Sequence, residues 1–275
     1  MASSLQVVQP ARREVAARPR IDEFGFDPAF TESALPLFRW LFEKYWRVEL
    51  EGIENVPVSG RALLVANHAG VIPWDGAMIR TGIWMAHPER RHARMLVVNF
   101  AFAMPGFSQF LLKTGNVLAH PDNAVTLLER DELVGVFPEG VKGAAKLYRD
   151  RYQVRRFGRG GFVQVAMRTG SPIIPVAVVG AEEVHPVVFE LPALAKVLGL
   201  PTVPLTPTFP WLGGLGLLPL PSKWFIAFGP PIETASMGPD AAEDPRLVLE
   251  VSEEVRGWIQ STVDDLLTRR KTPFY

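Results

Sequence analysis

The chain has 275 residues, with 29 basic and 29 acidic side chains and a formal charge of zero. Apolar residues make up 48% and charged ones 21%, a balance that excludes disorder as the main state and supplies enough apolar chain for a large core. With no cysteine, a disulfide scaffold, a thiolate zinc site, an Fe–S cluster and a cysteine nucleophile are excluded. The neutral balance argues against a dedicated nucleic-acid binder.

Residues 1–29 read as a mobile basic arm, with Arg12, Arg13, Arg18 and Arg20 and no apolar segment of the kind a secretion signal needs. Residues 30–48 read as an amphipathic helix, with Leu37, Trp40, Leu41, Lys44 and Tyr45 at helical spacing. Such a helix packs on the domain or lies at a membrane interface, where Trp and Tyr rings favour the headgroup level. Within 49–235, strands are expected at 63–66, 95–98, 133–137, 173–179 and 223–228. Helices are expected at 74–84, 106–113, 122–130 and 161–168. This alternation predicts an α/β fold: a single mixed, largely parallel sheet flanked by helices, with the amphipathic helix at its N-terminal side. Residues 236–275 hold a last helix that packs on the same domain. It opens at Asp244-Pro245, an N-cap followed by proline at the first helical position, and Val248, Val251, Val255, Ile259, Thr262 and Leu266 mark one face.

Charge is uneven along the chain. From 142 to 159 there are seven basic residues and one acid, Asp150; from 233 to 254 there are seven acids and one base, Arg246. The acidic run reads as a solvated helix face. The stretch 197–222 is free of charge and long enough to span a bilayer, but six prolines break it as a transmembrane helix. The segment 191–220 reads as too broken for a helix. It is either irregular core or a lipid-facing flap, with Phe209, Trp211 and Leu217 among the side chains that would touch an acyl chain or a membrane.

Two loops combine the residue types that acid–base chemistry needs. Asn67-His68 follows an apolar strand, and Asp75 lies just beyond, at the start of a helix. Loops at the C-terminal ends of strands are where open α/β sheets place ligands. A histidine there suits a general base, and a carboxylate can fix its tautomer. The second loop, Phe137-Pro138-Glu139-Gly140, also ends an apolar strand and leaves one carboxylate at its mouth. A third element, Ile174-Pro175, enters a later strand.

In this order and spacing, Asn67-His68 with Asp75, Phe137-Pro138-Glu139-Gly140 and Ile174-Pro175 resemble the glycerolipid acyltransferase family, over roughly 49–231. The resemblance implies transfer of a fatty acyl group from a thioester, acyl-CoA or acyl carrier protein, to a lipid hydroxyl. His68 would be the base and Asp75 its orienter. Glu139, Gly140, Pro138, Lys142 and Arg159 would belong to the acceptor-binding region. The thioester is a co-substrate, and neither a metal nor another cofactor is implied. The implied setting is cytoplasmic, peripherally on the inner face of a membrane.

This chain departs from the family pattern twice. Six residues, rather than the usual four, separate His68 from Asp75, and the stretch 114–120 lacks the arginine that many phosphate-acceptor members carry. The basic run 142–159 either contacts phosphates or is a solvated loop. Amides near Gly140, or at the helix start after Pro73, are the candidates for an oxyanion site. His87, His92, His120 and His185 read as surface or capping residues. Two alternatives remain in view: a lipid-binding protein without catalysis, and a thioesterase with water as acceptor.

Overall fold

A computed structural model describes residues 21–70, 72–102, 106–198 and 202–274. Helix α1 (Pro28–Trp40) continues through a π turn (Leu41–Tyr45) into β1 (Glu49–Glu51). There follow β2 (Ala62–Ala66), α2 (Trp74–Ala86), β3 (Ala93–Val97), α3 (Asn99–Phe102), α4 (Phe107–Lys113), β4 (Val117–Leu118) and α5 (Pro121–Glu129). Next come β5 (Leu133–Val136), α6 (Val141–Ala144), α7 (Gly161–Thr169), β6 (Ile173–Val179), β7 (Phe189–Glu190) and α8 (Pro192–Leu198). The described chain closes with β8 (Pro204–Leu205), β9 (Phe225–Phe228) and α9 (Pro245–Arg269).

The main sheet has seven strands in the order β1-β9-β6-β2-β5-β3-β4. All pairs are parallel except β6 with β9. It is the mixed, largely parallel sheet the alternation predicts. The central strands β2 and β6 are buried along their whole length, because helices cover both faces. Leu63, Val65, Ile173 and Ala177 face α5, α7 and α9; Leu64, Ala66, Ile174 and Val178 face α2 and the π turn.

Three expectations need correction. Residues 21–27, placed in the mobile arm, dock onto the domain: Asp22 pairs with Arg94 at 2.7 Å, and Arg94 lies over the Phe24 and Phe26 rings. Residues 1–20 of that arm lie outside the described residues. The segment 191–220 is not free of helix, since α8 and a 3₁₀ turn (Gly213–Leu217) lie within it. The short strands β1 and β4, and the β7–β8 ribbon, were not expected. Helix α9 opens as its N-cap predicts, with the Asp244 carboxylate accepting the N–H groups of Arg246 and Leu247 at 2.9 and 3.4 Å. Its buried face runs through Val263, with Thr262 only half-buried. Among the described residues, no helix is long and apolar enough to cross a membrane.

Candidate active site

Strands β2 and β5 are parallel neighbours, so the loops at their C-terminal ends meet. That placement brings His68 and Glu139 together across 71 residues of sequence. Asn67, the first residue beyond β2, extends the ladder to β6 with its side chain. Its Oδ1 accepts the Val178 N–H at 2.7 Å and its Nδ2 donates to Val178 O at 2.9 Å. The bonds leave Asn67 buried and fix where the loop departs from the sheet.

His68 Nδ1 lies 2.7 Å from Asp75 Oδ2. The wide spacing in sequence therefore keeps the His–Asp contact. Asp75 is fully buried, and its carboxylate also accepts the Ala69 N–H at 2.9 Å and the Gly76 N–H at 2.8 Å. An acceptor-only carboxylate on Nδ1 requires the proton there and leaves Nε2 with its lone pair. The imidazole stacks on Phe137, with ring centroids 4.4 Å apart, and stays 15% exposed. One ring edge is thus locked while the site remains open to a substrate.

Glu139 points inward rather than into the mouth. Its Oε1 accepts the His68 backbone N–H at 2.8 Å, and its Oε2 accepts the Arg155 N–H at 2.7 Å and lies 3.4 Å from Lys146 Nζ. The side chain is fully buried, which places it behind the His68 loop. Gly140 has φ 57° and ψ −148°, backbone space that favours glycine, and its N–H is spent on Phe137 O at 3.0 Å. That amide is therefore not free for an oxyanion. Pro138 is half-buried in the same turn. Lys142 and Arg159 are exposed, on α6 and ahead of α7, whereas Lys146 of the same basic run is buried.

Phe209 and Leu217 line a small cavity of about 30 Å³ with Ile72 of the His–Asp loop and His185. This segment therefore abuts the His–Asp loop. Beyond it, Trp211 and Leu215 are 70% and 69% exposed, and Leu212 and Leu218 are exposed as well. The flap is tied to the N-terminal helix region: the Tyr45 hydroxyl donates to Pro219 O at 2.6 Å and Trp46 Nε1 to Leu220 O at 3.2 Å. Leu37 and Trp40 are exposed on α1, while Leu41 and Phe42 are buried.

His87 is the C-cap residue of α2, one of the two expected roles, and is buried there. The expectation for His185 is corrected: it is buried rather than on the surface. His185 is pushed down to about 4 by burial, so it is neutral. His92 is half-buried and also pushed down to about 4, by burial first and then by Arg80 and Arg94. His120 does cap a helix, accepting the Asp122 N–H at the start of α5 at 3.3 Å. Sequence reasoning left Asn67, Phe137, Gly143 and Lys146 without individual roles. Their motif neighbourhood was the available signal.

A buried carboxylate holding a part-exposed histidine at the strand ends of an α/β sheet is the geometry that acid–base transfer needs. Comparison with known proteins supplies the class. The family model described as Acyltransferase matches residues 47–179. An uncharacterized protein of Mycobacterium tuberculosis is 44% identical over 265 residues, covering 96% of this chain and 74% of that protein. A bovine protein named DGAT1/2-independent enzyme synthesizing storage lipids is 31% identical over 128 residues, covering 46% of this chain and 37% of that one. In fold, the chain is similar to the crystal structure of the 1-acyl-sn-glycerophosphate (LPA) acyltransferase PlsC from Thermotoga maritima. The TM-score is 0.57 at 20% identity, over 89% of this chain and 81% of that one. The chain belongs to the acyltransferase family that this model describes.

Proposed function

We propose that the protein transfers a fatty acyl group from a thioester donor, acyl-CoA or acyl carrier protein, to a hydroxyl of a lysoglycerolipid or related lipid alcohol at a membrane surface. The observation that carries the reading is the 2.7 Å contact of His68 Nδ1 with the buried Asp75 carboxylate, on a ring that remains accessible. His68 Nε2 takes the acceptor proton as the oxygen attacks the thioester carbonyl. The C–S bond then breaks, and the imidazolium returns the proton to the leaving thiolate. The products are an ester and a free thiol. Asp75 holds the required tautomer and stabilises the imidazolium.

The membrane part of the reading rests on the exposed apolar side chains of the flap and α1, joined through Tyr45 and Trp46. Amphipathic surfaces of this composition bind the interfacial region of bilayers. Lys142, on α6 after the Glu139 loop, and Arg159, ahead of α7, are exposed and are the proposed contacts for phosphates of donor or acceptor.

The test is thiol release from long-chain acyl-CoA, then from acyl carrier protein, with and without a panel of acceptors. The panel holds lysophosphatidate, glycerol-3-phosphate, lysophospholipids, monoacylglycerol and diacylglycerol. Release that needs one acceptor and is lost in His68→Ala is the expected result. Release without acceptor makes the protein a thioesterase. Lipid binding without release from either donor makes it a carrier.

A further inference from the structure

The charges behind the catalytic loop do not end at Glu139. Lys146 Nζ, 3.4 Å from Glu139 Oε2, lies 2.7 Å from Glu182 Oε1 and donates to Gln153 O at 3.1 Å. Glu182 Oε2 accepts the backbone N–H of Tyr152. The Tyr152 hydroxyl donates to Glu183 Oε1 at 2.6 Å and accepts from Arg270 Nη1 at 3.0 Å. Arg270, one residue beyond α9, forks onto both Glu183 oxygens. The Glu139, Lys146, Glu182, Glu183 and Arg270 side chains are each no more than 6% exposed.

Three carboxylates and two cations out of water carry a desolvation cost that an apolar cluster of the same size avoids. Burial pushes Glu182 up against the pull of Lys146, which eases the excess negative charge. Burial, and then Glu183, also push Tyr152 up, so it remains a phenol able to donate. Tyr152 sits at φ 65°, a left-handed conformation that a non-glycine residue holds only when its surroundings impose it. Those surroundings include α9, where Gln260 Nε2 donates to Tyr152 O at 3.0 Å and Gln260 Oε1 accepts the Val154 N–H at 2.8 Å. At its other end the network terminates on the backbone amide of His68, through Glu139.

We propose that Tyr152, Glu183 and Arg270 are positioning residues for His68. They hold the strap that carries Lys146 and the Arg155 amide, which together fix the Glu139 carboxylate under the catalytic loop. The end of α9 is thereby coupled to the base. The kinetic part of the proposal rests on His68 being that base; the structural coupling does not.

The chain has five histidines, so [15N]histidine labelling gives a sparse amide spectrum in which His68 is assigned by its absence in His68→Ala. Tyr152→Phe keeps the backbone bond to Glu182 and removes only the hydroxyl. It should move the His68 amide proton upfield and leave His87 and His120 in place. It should also lower kcat about tenfold with KM within about twofold. Arg270→Gln should do the same more strongly, with Arg270→Lys recovering part of the loss. If Arg270→Gln does not fold, Tyr152→Phe alone decides. An unmoved His68 amide in folded Tyr152→Phe overturns the proposal, as does a loss of turnover that only tracks the folded fraction. If the wild type transfers no acyl group to any acceptor, the amide shift still tests the coupling, so the two failures are separable.

Discussion

Gly143 lies so close to Glu139 that a Cβ on it would stand 2.5 Å from Glu139 Cβ, and 3.1 Å from His68 Cβ. The approach lets α6 close over the His68 loop from behind. Gly143→Ala must push α6 or the loop away, a typical overpacking change costing about 1–3 kcal/mol. Turnover should fall by more than the folded fraction does, because the displaced group is the Glu139 bracket. Thermal melts set against initial rates check this.

Asp75→Asn keeps the shape of the side chain but offers an amide that can donate to Nδ1, which favours the wrong tautomer. By analogy with triads of this logic, kcat should drop by about 10³–10⁴-fold. The expected protein is folded, since Oδ1 remains to accept one of the neighbouring N–H groups. A rate loss below about tenfold would remove Asp75 from the mechanism.

The exposed flap predicts a separation of binding from chemistry. Trp211→Ala with Leu215→Ala removes two large apolar side chains that pack on little in the protein. Sedimentation with anionic vesicles should weaken by at least about tenfold, while the rate on short-chain, water-soluble acyl-CoA stays near that of the wild type. Unchanged vesicle binding would move the membrane contact elsewhere on the surface.

Acid should destabilise the fold through His185, which is buried, and His92, which is half-buried. His185 and His92 are both pushed down to about 4 in the folded protein, from an ordinary value of 6.5. Between those values the unfolded chain binds protons that the folded chain refuses, so stability falls as pH drops from about 6.5 towards 4. The slope is up to roughly 1 kcal/mol per pH unit for each histidine. Denaturant melts across this range measure it, and His185→Phe should flatten it.

Much of the architecture is legible in the sequence, for a physical reason. A strand buried on both faces must be apolar throughout, so β6 appears as a continuous run with the bounds it has in the structure. A helix that starts with Asp-Pro announces its own N-cap, as α9 does. The residues of the two site loops are local motifs and are readable in the same way. Edge strands such as β1 and β4, three and two residues long, carry no period and exist only through their partners β9 and β3.

The tertiary structure alone decided where the site residues stand and what they touch. Spacing in sequence did not say whether His68 and Asp75 meet; the loop between them closes because Asp75 also caps the Ala69 and Gly76 amides. The motif reading leaves the Glu139 carboxylate at the mouth of its loop, whereas the structure turns it inward. That direction follows from β5 lying beside β2 and from Lys146 and the Arg155 amide waiting behind the loop. A run of seven basic residues likewise reads as one surface, yet one of them is buried between two carboxylates. Charge pattern reports composition along the chain. The fate of each charge depends on partners tens of residues away, and only the fold brings them together.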